Sequence, residues 1–272
     1  MVFQTENVRQ KIQEIPQAIE LAFDTPCSEF PIHPGRDVPL LISGLLPPKK
    51  GLSYKEGQAR LLHDLASIEL QAMELGLRTL HEFPEAPEGF REELVEVTKS
   101  EARHLTLCLD GIEKLGFKWG DWPVHVMLWA SVAKEDSLLD RILIVHRYLE
   151  GSGLDAGDTL LKRLEAVLES PLHSITKTIV NEEIEHVEFG SRWYREICRK
   201  EKLDPQEDFP RRIESFRFRL PKRIERISRP LRLQAGFTEA EIGYLESLRE
   251  RIANFPARQR NRHDDGEYAL GF

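Results

Sequence analysis

Residues 172–200 read LHSITKTIVNEEIEHVEFGSRWYREICRK, a proline-free run with apolar residues at helical spacing, and its glutamates decide what surrounds it. Neighbours on a helix surface lie three, four and seven residues away. Around Glu183 those positions hold Thr176, Ile179, Val180, His186, Val187 and Gly190, a face suited to a core. Around Glu185 they hold Thr178, Asn181, Glu182, Glu188, Phe189 and Arg192, a face suited to water. One helix therefore separates a glutamate that points inward from one that points outward.

Two more glutamates behave like Glu183. Glu69 is surrounded by Leu62, Leu65, Ala66, Ala72, Met73 and Gly76, and Glu101 by Leu94, Val97, Thr98, His104, Leu105 and Cys108. An ionised carboxylate on such a face costs several kcal/mol unless it is paired or binds a cation. No Lys or Arg shares these faces, so a metal ion is the economical partner. Glu101-x-x-His104 and Glu183-x-x-His186 each put a carboxylate and an imidazole one turn apart on one face. With 33 Glu and nine His, about one such match arises by chance, and two are present. Glu69 precedes the first motif by 101 − 69 = 32 residues and Glu150 precedes the second by 183 − 150 = 33. The pattern is Glu, then Glu-x-x-His, twice, as two helix hairpins would give. If the third helix is shifted, Glu135 or Asp136 takes the place of Glu150. His146, four residues before Glu150, is placed to orient it or to pack as a core histidine. Cys108 reads as a packing residue.

Outward from these motifs the chain reads as helices. The spacing predicts helices over 3–22, 56–82, 89–116, 123–150, 157–169, 172–200 and 238–254, with breaks at Pro84, Pro87, Gly116 and the Gly151-Ser152-Gly153 run. Residues 24–50 hold six prolines and read as an extended arm. The fold expected is all-α: an antiparallel four-helix bundle over 51–202, with a helix and Pro-rich arm at 1–50 and an extension at 203–272. That extension opens with 209–233, nine Arg/Lys against two Glu, so the rest of the chain carries −8 − 7 = −15. These arginines read first as pairing with acidic helix faces of the same chain, then as a nucleic-acid surface or a subunit contact. The last residues, 257–268, form a polar tail expected to be mobile.

Composition excludes several classes. No apolar run reaches the roughly 20 residues of a membrane span. Three cysteines, Cys27, Cys108 and Cys198, are too few and scattered for a disulfide framework or zinc site. The start lacks the basic and apolar regions of a secretory signal, so a reduced cytoplasmic protein is expected. No phosphate loop, Ser-His-Asp order or nucleotide motif is present.

The stretches His63–Leu75, Glu101-x-x-His104, His146–Asp155 and Glu182-Glu-Ile-Glu-His186-Val together resemble a bacterial ferritin-like domain family of unknown function, over about residues 30–240. Its wider relatives are ferritin-like di-iron carboxylate proteins, among them a tRNA-modifying hydroxylase. The resemblance implies two iron ions, with manganese the alternative. Glu69 and His104 would hold one ion, Glu150 and His186 the other, and Glu101 and Glu183 would bridge. The function expected is an oxygen-activating oxidoreductase or hydroxylase, acting on a small molecule or RNA and fed by an external electron donor. The alternatives are a ferroxidase or other iron-handling protein, or a metal-stabilised interaction protein without turnover. A homodimer is compatible with each.

Overall fold

The computed structural model describes residues 2–27, 29–41, 48–167, 169–223 and 225–253. The expected polar tail lies outside them, as do residues 42–47 of the Pro-rich stretch. The protein is all-helical: no strand occurs among the described residues, and one isolated parallel bridge joins Leu40 to Val124. None of its described helices is long and apolar enough to cross a membrane. The chain divides into two compact units, one within Met1–Ile42, Leu46–Leu138 and Val167–Ile175, the other within Leu139–Ala166 and Thr176–Phe272.

The first unit is built on a hairpin of α3 (Lys55–Glu82) and α4 (Glu88–Lys114). The loop between them is set by Phe83-Pro84, and Pro87 stands before the first turn of α4, where its missing N–H costs nothing. Helix α4 closes in a Schellman turn, with Phe117 N–H donating to Ile112 O and Gly116 N–H to Glu113 O. Because α3 is buried almost all round, its polar side chains must be satisfied within the protein. Gln71 donates to Ser67 O and His125 O, and its Oε1 accepts from Leu128 N, which pins the loop that carries the short α5 (Met127–Ala130).

The N-terminal helix expected over 3–22 is two helices, α1 (Val8–Gln13) and α2 (Ile15–Asp24). Pro16 cannot continue a helix already under way, so the chain restarts at Glu14. The described part of the Pro-rich stretch beyond Asp24 forms no helix and lies on this unit. Gly35 N–H donates to Phe3 O, Trp119 Nε1 to Asp37, and Arg36 makes a two-pronged ion pair with Glu74 at 2.6 and 2.7 Å. Lys11 Nζ meets the same carboxylate at 2.6 Å, although Lys11 is fully buried and its pKa is lowered by that burial.

In the second unit the third long helix differs from expectation at both ends. It starts at Leu138, not 123, and runs through α6 (Leu138–Ile142), a π-helical segment Leu143–Glu150 and α7 (Gly151–Leu164), so no separate helix begins at 157. Gly151 does not stop the helix because its role is spatial: a Cβ there would lie 2.1 Å from Arg232 Nη1. The long helix α8 (Pro171–Lys200) matches the expected 172–200. Three shorter helices follow, α9 (Pro205–Phe216), α10 (Arg229–Gln234) and α11 (Glu239–Ala253).

Several arginines of the basic stretch pair within this unit. Arg212 binds Asp208 and Asp140, Arg229 binds Glu239 and Glu246, and Arg232 binds Asp155. Arg147 forms a bidentate pair with Glu241 at 2.8 and 2.9 Å, and its guanidinium faces the rings of Tyr194, Phe209 and Phe237.

Two outcomes follow for the first unit. His63 is buried, stacks on Trp119 and accepts a hydrogen bond at Nε2 from Gly120 N. Burial pushes its pKa down from 6.5 to about 4. The unfolded chain therefore binds the proton first, and about 3 kcal/mol of stability is lost as pH falls from 6.5 to about 4. His63→Gln is expected to flatten that part of a stability–pH curve measured by urea unfolding. Glu74→Gln strands two buried cations and is expected to cost about 3–5 kcal/mol. Glu113→Gln, which loses an exposed pair with Arg9, should cost about 1 kcal/mol or less in the same assay.

Candidate metal centre

Helix α3 positions Glu69 and α4 positions Glu101 and His104, and all three are buried, Glu101 to 1% exposure. His104 Nδ1 stands 3.4 Å from Glu69 Oε2 and 3.5 Å from Glu101 Oε2. Cys108, one turn further along α4, is fully buried, and its pKa is raised first by burial and then by the nearby Glu69. Its full burial suits the packing role expected of it.

The second unit carries the matching residues. Glu183 and His186 sit one turn apart on α8, with His186 Nδ1 3.1 Å from Glu183 Oε1. Glu150 closes the π-helical segment, and its Oε2 lies 2.9 Å from His146 Nδ1. An ionised carboxylate only accepts, so this contact puts the proton on Nδ1. His146 Nε2 is buried and has no hydrogen-bond partner among the described residues. The π-helical turn sets the two side chains four residues apart against one another, and such turns recur at functional sites. Helical periodicity alone does not mark this turn. Asp136, the alternative to Glu150, accepts instead from Ala133 N at 2.7 Å in the loop before α6.

Glu101, His104, Glu183 and His186 are all buried, each offers one ligand atom, and they could hold a metal ion. The donor set fits that use. Bonds of about 2 Å from a metal to neighbouring ligands leave the ligand atoms about 3–3.5 Å apart, the range of the Glu–His separations within each motif. Carboxylate oxygen and imidazole nitrogen without thiolate suit iron or manganese.

A family model described as "Protein of unknown function (DUF455)" matches residues 4–243. The chain belongs to this family. It is also similar to an uncharacterized protein of Haemophilus influenzae, 30% identical over 225 residues that cover 80% of this chain and 77% of that protein. No solved structure matches it. The DUF455 match spans all six candidate ligands, the described arm and the basic stretch.

What sequence reasoning missed lies beside the ligands rather than among them. The quoted stretch ending in Asp155 contained a residue that binds Arg232 and Arg249, partners more than 70 residues away that no local spacing reveals. Gly190 was seen only as a small neighbour of Glu183. It lets α8 approach the π-helical segment, since a Cβ there would sit 2.4 Å from His146 Cβ and 3.4 Å from its backbone. Gly190→Ala is accordingly expected to lower stability by about 1–3 kcal/mol in urea unfolding. Gly153→Ala, with no neighbour within 4 Å inside a helix, should leave stability unchanged or raised.

Proposed function

We propose that this chain is a ferritin-like di-metal carboxylate protein that activates dioxygen to oxidise or hydroxylate an organic substrate. In this reading α3, α4, the helix of 138–164 and α8 are the four long helices of the bundle. The observation that carries it is that the two Glu-x-x-His motifs are buried and that their four residues could hold a metal ion. Glu69 and His104 would hold one ion, Glu150 and His186 the other, and Glu101 and Glu183 would bridge them.

Bound iron would supply the redox chemistry that reduces dioxygen, with electrons from an external donor. The residues of the chain provide the rest. Four carboxylates offset the charge of two divalent ions, and neutral imidazoles complete each set without adding charge. His146 holds Glu150 in place through Nδ1, as hydrogen-bonded neighbours of metal ligands commonly do. Leu62, Leu105 and Val187, all buried beside the ligands in sequence register, keep bulk water from the carboxylates.

Anaerobic Fe(II) loading followed by metal analysis tests the reading. About two iron ions per chain are expected, with loss in Glu101→Ala and Glu183→Ala and retention in Glu185→Ala, whose side chain faces water. Failure of the wild-type chain to bind iron would overturn the proposal. Oxygen uptake that stops after one turnover without an electron donor supports oxidation of an organic substrate. Sustained oxidation of added Fe(II) would instead assign the metal as the substrate.

A further inference from the structure

The first unit holds a pocket of about 240 Å³ where the start of the arm, the end of α3 with its turn, and the loop before α6 come together. Phe83 and Pro84 give it an apolar wall, Cys27 lines it from the arm, and Lys134 stands on the loop. His81, only 5% exposed, lines it from the last turn of α3. The imidazole is fixed in place. Its Nδ1 accepts from Cys27 N at 3.2 Å, and the rings of Phe3 and Phe30 pack edge-on against it. An Nδ1 that accepts leaves the proton of the neutral ring on Nε2. Burial, and then Arg91, lower the pKa of His81 from 6.5, so the ring is neutral at pH 7 and Nε2 is a donor. No acceptor for that donor occurs among the described residues. Lys134 is exposed and likewise forms no ion pair among them. Glu82, the acid on the pocket wall, is paired with Arg78 at 3.0 Å.

A donor held out of water without an acceptor is costly, and an incoming acceptor removes that cost. One free N–H and one free ammonium beside an apolar wall match a ligand with a single negative charge and a short apolar body. A phosphate dianion fits worse, since no arginine lines the pocket and Glu82 would repel the second charge. We propose that this pocket binds a small monocarboxylate, with its carboxylate on His81 Nε2–H and Lys134 Nζ and its apolar part on Phe83 and Pro84. None of these residues is a candidate metal ligand, so the site stands apart from the metal reading.

Isothermal titration of the full chain with sodium butyrate, butyramide and sodium phosphate at equal ionic strength tests this. Saturable butyrate binding is expected, with butyramide, its neutral isostere, weaker by about tenfold or more. His81→Phe should weaken butyrate by about tenfold or more. Lys134→Gln, a change on the surface that leaves the fold intact, should weaken it by about two- to fivefold. Lys162→Gln, whose exposed pair with Asp158 lies in the other unit, should leave it unchanged. A second readout locates the ligand. Cys27 is half-buried whereas Cys108 and Cys198 are buried, so alkylation of Cys27 by iodoacetamide, followed by mass spectrometry, reports on the pocket. Butyrate should slow it and butyramide should not. The site is overturned by any of four results: no saturable butyrate binding, phosphate or butyramide bound as tightly, butyrate binding kept in full by His81→Phe and Lys134→Gln, or an unchanged rate of Cys27 alkylation under saturating butyrate.

Discussion

A carboxylate taken out of water must meet positive charge, and the buried acids of this chain sort by what meets them. Glu74 is met by Lys11 and Arg36, Asp155 by Arg232 and Arg249, Asp208 by Arg211 and Arg212, and Glu241 by Arg147. Those groups organise the fold: the pairs of Glu74, Asp155 and Glu241 join elements far apart in sequence, Arg212 links Asp208 on its own helix to Asp140, and loss of one partner would leave the other charged and dry. Glu69, Glu101 and Glu183 have imidazole nitrogens beside them. An imidazole beside a carboxylate is a good metal ligand, so these acids are placed where a metal could supply positive charge.

The π-helical segment is where scaffold and candidate centre meet within one stretch of eight residues. His146 and Glu150 face one another on it, Arg147 turns to Glu241 and three aromatic rings, and Tyr148 reaches Pro221 O. In a regular α-helix four consecutive residues cover the whole circumference. The wider turn changes the phase of everything after it, so its hydrogen-bonding cost is offset by the partners on every side. Gly190 and Gly151 allow the close approaches that hold it, one to α8 and the other to Arg232.

The helical character of the chain and its candidate ligands were legible because both rest on periodicity. A glutamate among apolar neighbours at three, four and seven residues is a local pattern, and Glu69, Glu101 and Glu183 are all buried. The ends of α3, α4 and α8 were legible because Pro and Gly mark them chemically. Glu14 and Pro16 were read as interior because the apolar period runs across them. The third helix was misread for a different reason: Gly151 is explained by the side chain of Arg232, 81 positions later, and a helix start at Pro123 lost to the loop that Gln71 pins. The pairing of arginines in the basic stretch followed the first of its expected readings, while the particular partners depend on tertiary packing that composition does not encode.

The triple contact of Lys11, Arg36 and Glu74 also constrains the order in which the chain assembles. The α3–α4 hairpin closes through a five-residue loop, 83–87, a short search. Lys11 is 63 positions from Glu74, Asp37 is 82 from Trp119, and Arg9 is 101 from Asp110. Closing such long loops is slow until their far ends are already in place. The segment carrying Arg9, Lys11 and Asp37 therefore docks late, onto a hairpin that follows it in the chain. Until then Glu74 keeps its water and the flank of α3 stays open, so the N-terminal strap acts as the latch that completes folding of its unit rather than the seed that begins it.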